Sequence, residues 1–164
     1  MTAAELVAAF ALGRGALGLN LKGIDDELAL RSPGGGANSV NWMAGHILGY
    51  RDLALRQIGA EPVWDDATRR PYSGEDDAGW DAAHAVPLSE IVAALDTSQQ
   101  RLAAAIGALS DADLERVIGK RTLAQYLAFL HFHEATHVGQ VGLARRLLGL
   151  PGVIRPPGSR GKTQ

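Results

Sequence analysis

His133 and His137 stand four residues apart on the apolar stripe of what reads as the longest helix of this chain, and His46 stands on the apolar stripe of another. A buried imidazole costs free energy unless its ring nitrogens find partners. Three such rings meeting at one point are what a divalent metal requires of a site that keeps a coordination position open, whereas a closed structural site takes four protein ligands. At ~100° per residue, His133 and His137 differ by only about 40° around their helix, so one ion can take a nitrogen from each. His131 lies about 200° from His133 and is expected to face away. His84 falls in a loop and reads as an ordinary surface residue. The chain has no cysteine, so any metal must be held by nitrogen and oxygen.

His133-Glu-Ala-Thr-His137 also fits the H-E-x-x-H pattern of zinc peptidases, in which the glutamate is the general base. That pattern needs a further ligand downstream, and after His137 the sequence contains no His, Asp, Glu or Cys. The peptidase reading is therefore set aside. Two neighbours remain candidates for supporting roles. Glu134, on the shoulder of the stripe, is placed to hydrogen-bond an imidazole N–H or, alternatively, to act as a base. Gln140 is placed to orient a ligand ring or a water on the metal, or to cap the cavity.

The elements that must position these residues are helices. Thr2-Ala-Ala-Glu5 is a capping box opening a helix to about Leu21. Gly13, Gly15 and Gly18 are weak spots in it, or places where another helix comes close. Ser32-Pro-Gly-Gly-Gly36 breaks the chain. Asn38 or Ser39 then caps a second helix ending near Gly59, with the stripe Val40, Met43, His46/Ile47, Tyr50, Leu53, Gln57/Ile58. Residues 61–86 form a long loop rich in Asp, Gly and Pro, holding Trp64 and Trp80, where substrate specificity is expected to reside. Pro87 is placed in the first turn of a third helix. Ser110-Asp-Ala-Asp113 starts a short turn, and the capping box Thr122-Leu-Ala-Gln125 opens a fourth helix to about Leu148, stopped by Gly149 and Pro151. At ~1.5 Å per residue that helix is about 39 Å long. Gly139 and Gly142 are expected to form a flat patch against a neighbouring helix. No strand-like alternation persists. The expectation is an all-α four-helix bundle over residues 1–150, followed by a basic Pro/Gly-rich tail at 151–164.

Composition agrees. The chain has 164 residues, 46% of them hydrophobic, enough for one domain with a real core. A formal net charge of −2 and the lack of a basic reading helix argue against nucleic acid as a partner. No secretion signal and no run long and apolar enough to span a bilayer are read, and a cysteine-free chain suits a reducing, cytoplasmic setting.

The run Thr122-Leu-Ala-Gln-Tyr-Leu-Ala-Phe-Leu-His-Phe-His133-Glu-Ala-Thr-His137-Val-Gly139-Gln140, with Trp42-Met-Ala-Gly-His46 and the Gly34–Asn41 segment before it, resembles the DinB-like metalloprotein family. The resemblance extends over roughly residues 5–150. It implies a four-helix bundle with a three-histidine site for nickel, zinc, iron or a similar ion, its ligands carried over to His46, His133 and His137. It also implies a homodimer. Some members transfer low-molecular-weight thiols such as bacillithiol or mycothiol, and some isomerise maleylpyruvate through a thiol.

Two function classes follow. One is a metal-dependent enzyme on a small-molecule substrate, in the manner of a thiol transferase, any reacting thiol coming from a cofactor because the chain supplies none. The other is a non-catalytic metal or small-ligand binding protein. Arg51 and Arg145 are candidates to hold a cofactor carboxylate, though solvated helix-surface charges are the preferred reading for both.

Overall fold

The computed structural model describes residues 1–74 and 79–153. Residues 75–78 of the loop and residues 154–164 of the basic tail lie outside the described residues. Four long helices carry the fold: α1 (Ala3–Leu21), α3 (Val40–Gln57), α5 (Leu88–Gly107) and α7 (Leu123–Leu147). Three short ones join them: α2 (Asp26–Leu30), α4 (Asp66–Arg69) and α6 (Asp111–Glu115). Helix α1 packs on α5 and α7, and α3 packs on the same two, so α1 lies diagonally across the bundle from α3.

The helix starts follow from local chemistry. Thr2 with Glu5 and Thr122 with Gln125 form reciprocal capping boxes, and Ser39 accepts the Trp42 N–H at 3.2 Å. Gly34, Gly35 and Gly36 all hold positive φ, which turns the chain into α3. Pro87 sits one residue earlier than expected, as the extended residue preceding α5. A two-residue antiparallel ladder, β1 (Val117–Ile118) with β2 (Arg121–Thr122), leads into α7; it is too short to show alternation in sequence.

The described residues of the 61–86 loop hold more local structure than their composition suggests. It contains α4 and two 3-10 turns, Arg70–Tyr72 and Ala82–His84. Buried Asp52 of α3 accepts the N–H groups of Val63 at 2.7 Å and Trp64 at 2.9 Å, tying the start of the loop to the bundle. Helix α1 corrects the expectation about apolar runs, because its length and mean hydropathy of 1.2 match those of a membrane-crossing helix. Here its stripe Leu6, Phe10, Gly13 and Leu17 is spent on the bundle.

The core consists of two apolar clusters. One is built around Phe10, Leu102 and Leu127, the other around Leu17, Ile47, Leu95 and Val141. Between them runs a layer with one buried residue from each long helix: polar Arg51, Ser98 and Glu134, and Gly13, which leaves room for the Glu134 carboxylate.

Candidate metal centre

The three histidines meet where α3 faces α7. The His133 Nε2 lies 3.4 Å from His46 Nε2 and 3.2 Å from His137 Nε2. A tetrahedral ion with bonds of 2.0–2.1 Å to imidazole needs nitrogens about 3.3–3.4 Å apart. His46 is buried, and His133 and His137 are half-buried at the edge of the bundle.

Which nitrogen faces inward is set by the partners of the other. The His46 Nδ1–H donates to the Tyr72 carbonyl at 2.6 Å, and the His137 Nδ1–H donates to the Gln140 side-chain oxygen at 2.8 Å. A carbonyl only accepts, so both rings carry their proton on Nδ1 and turn an Nε2 lone pair to the centre. That is how metal-ligating imidazoles are normally held. Gln140 is thus placed against the ring of His137, on the side away from the other two histidines' nitrogens. His133 Nδ1 is buried without a hydrogen-bond partner among the described residues, and its ring stacks on Tyr50 at 3.8 Å between centroids. Trp42 stacks on His46 at 4.5 Å. The donor set therefore fits a divalent ion: three neutral nitrogens, preoriented, at the spacing of one coordination sphere.

Burial drives His46 down to about 4, with the Tyr72 bond opposing and His137 adding to the drop. Burial, then His137 and His46, drives His133 to about 4 as well, while burial lowers His137 against the pull of Gln140. All three rings are neutral at pH 7. In the metal-free protein they bind fewer protons than the unfolded chain between about pH 6.5 and 4, so stability is full above 6.5 and declines as pH falls towards 4. Chemical denaturation of the metal-free protein at pH 7.5 and pH 4.5 is expected to give the lower midpoint at pH 4.5, and His46→Phe should flatten that difference.

Several expectations are corrected here. Glu134 neither bonds an imidazole nor stands free as a base. It occupies the middle of the buried face of α7, not its shoulder, and its two oxygens accept from Arg51 Nε at 2.8 Å and an Arg51 terminal nitrogen at 2.7 Å. A buried charge must find its counter-charge, and these two residues find each other. Arg51 also donates to the Phe10 carbonyl and to Gln99, so it is neither solvated nor available to a cofactor. Arg145 is likewise buried, donating to the carbonyls of Asn20, Lys22 and Pro151, where it closes the C-terminal ends of α1 and α7. Gly142 packs against Asn20 as expected of a close approach, but Gly139 faces open space. His131 turns away from the centre onto the edge of the Phe10 ring, and His84 is exposed beside Asp81. Sequence reasoning missed Tyr72, because its role is played by a backbone carbonyl and any residue has one.

The fold agrees with the comparisons. The family model of the DinB superfamily matches residues 9–141, a span that contains all three histidines. A solved structure, the crystal structure of a conserved protein from Enterococcus faecalis, shares the fold with a TM-score of 0.75 at 19% identity, covering 90% of this chain and 98% of that one. None of the curated proteins matches the sequence. The bundle of four long helices is the fold shared with that structure, and the family match, which spans well over half of the sequence, shows that the chain belongs to the DinB superfamily.

Proposed function

We propose that this protein is a metal-dependent enzyme acting on a small molecule, with His46, His133 and His137 as the three ligands of a divalent ion. The observation that carries this reading is the convergence of three Nε2 atoms whose opposite ring nitrogens are, in two of the three rings, already committed to outward carbonyl acceptors. Such an ion supplies Lewis acidity and lowers the pKa of what binds to it. The chain's residues hold the rings neutral and oriented, and leave the ion's remaining positions to a substrate. A low-molecular-weight thiol is a suitable co-substrate, since the chain supplies no thiol of its own. The peptidase alternative loses its base, because Glu134 is locked on Arg51.

Protein purified without chelator should hold about one nickel, zinc or iron ion per chain by elemental analysis. His46→Ala, His133→Ala and His137→Ala should each lower that content to background while the helical circular-dichroism spectrum persists. Parental metal content in all three variants would overturn the assignment. Turnover of thiols with electrophilic acceptors by the metal-loaded protein separates enzyme from binding protein; stoichiometric metal without turnover would favour the latter, which the absence of a free carboxylate base at Glu134 also favours.

A further inference from the structure

Between the segment leading into α3 and the C-terminal half of α7 lies a cleft of about 320 Å³. That is at the lower end of the size of small-molecule pockets, roughly 300–1,000 Å³. Its floor is Met43 and Ala144, and its lip is Leu143 and Leu147. Gln140 belongs to both places: it lines the cleft and its side-chain oxygen holds His137 Nδ1. Met43 precedes His46 by one helical turn, so both walls of the cleft continue the faces that carry the histidines. No charged side chain lines it among the described residues; Asn38 and Gln140 supply its side-chain amides. The buried arginines nearest in sequence to the ligands and to the cleft, Arg51 and Arg145, are committed to internal partners.

We propose that this cleft receives the uncharged, apolar part of the substrate, whose donor end reaches the ion held by the histidines. This rests on the metal-centre reading above and adds the substrate class: a small molecule with a metal-binding head and an apolar, unionised tail. A tail bearing a carboxylate would lose its hydration here with no cation among the described lining residues to receive it.

The test is a titration of zinc-loaded protein with alkyl hydroxamic acids from acetohydroxamic to octanohydroxamic acid, followed by calorimetry. Each added methylene should tighten binding by about three- to four-fold until the cleft is filled. Suberic acid monohydroxamate, of the same length but with a terminal carboxylate, should lose most of the gain. The exposed lip offers a variant that spares the core: Leu143→Asp with Leu147→Asp should abolish the gain per methylene, with zinc content checked in the same samples. Failure to hold zinc or to bind acetohydroxamic acid would overturn the metal-centre reading, and this inference with it. Zinc and acetohydroxamic acid bound normally, but with affinity independent of chain length, equal for the carboxylate-tipped compound, or undiminished in the double variant, would overturn the cleft assignment alone.

Discussion

Glu134→Ala is expected to cost about 3–5 kcal/mol of folding stability, because it leaves the Arg51 guanidinium buried without its counter-charge. Arg51 and Glu134 are each 1% exposed, so water cannot replace the lost carboxylate without opening the bundle. The loss is a large share of the ~5–15 kcal/mol that holds a domain of this kind together. Replacing both partners by apolar residues of similar size, Arg51→Met with Glu134→Leu, should recover most of it, since the desolvation cost leaves with the charges. Urea denaturation of the two single variants and the double variant measures the cycle. A single-variant loss below about 1 kcal/mol would mean that the pair contributes no more than an exposed surface ion pair.

The same pair explains Gly13. A Cβ there would sit 2.5 Å from Glu134 Oε1, so Gly13→Ala must push the carboxylate off Arg51. An overpacking loss of about 1–3 kcal/mol is expected. Two residues along the same helix, Gly15 faces open space, and Gly15→Ala should instead stabilise by about 0.5–1 kcal/mol. One helix thus holds a glycine kept for its absent methyl group and another that is merely tolerated.

What the sequence disclosed and what it concealed divide along the range of the interactions. The capping boxes at Thr2 and Thr122 and the pair His133 and His137 are written within three or four residues, and periodicity placed His46 on the right face. The short helices α2 and α4, at five and four residues, are too brief for a period to appear. The ion pair joins residues 83 apart, and a charge on a helix reads as solvated until its partner is known. A signal was nonetheless present. The buried rows Val40, Ala44, Ile47, Arg51, Ala54 and Leu127, Leu130, Glu134, Val138, Val141 keep strict spacings of three and four, with one opposite charge in the core position of each. Centring the α7 stripe on Glu134 instead of His133 moves the histidines to its edge, where an ion remains reachable from outside.

That edge position makes the orientation of His46 the most sensitive feature of the centre, and Gly45→Ala is expected to break it. The added Cβ would lie 2.5 Å from Cε1 and 2.8 Å from Cγ of the Tyr72 ring. Tyr72 has no room to retreat: it is 2% exposed, its hydroxyl donates to Asn41 and accepts the Val86 N–H at 2.9 Å. Moving it carries away the carbonyl that receives the His46 Nδ1–H. Gly45→Ala should therefore lower stability by about 1–3 kcal/mol and metal affinity by about 10–100-fold, the usual cost of losing the group that orients a ligand ring. Tyr72→Phe separates the two effects. It keeps the backbone carbonyl and removes only the hydroxyl, so it should cost about 1–2 kcal/mol through the orphaned Val86 N–H and leave metal affinity near the parental value. Competition titrations with a chromophoric chelator, run beside denaturation curves, give both quantities for both variants. Parental affinity in Gly45→Ala would mean that His46 is aligned by its stacking on Trp42 and not by the Tyr72 carbonyl.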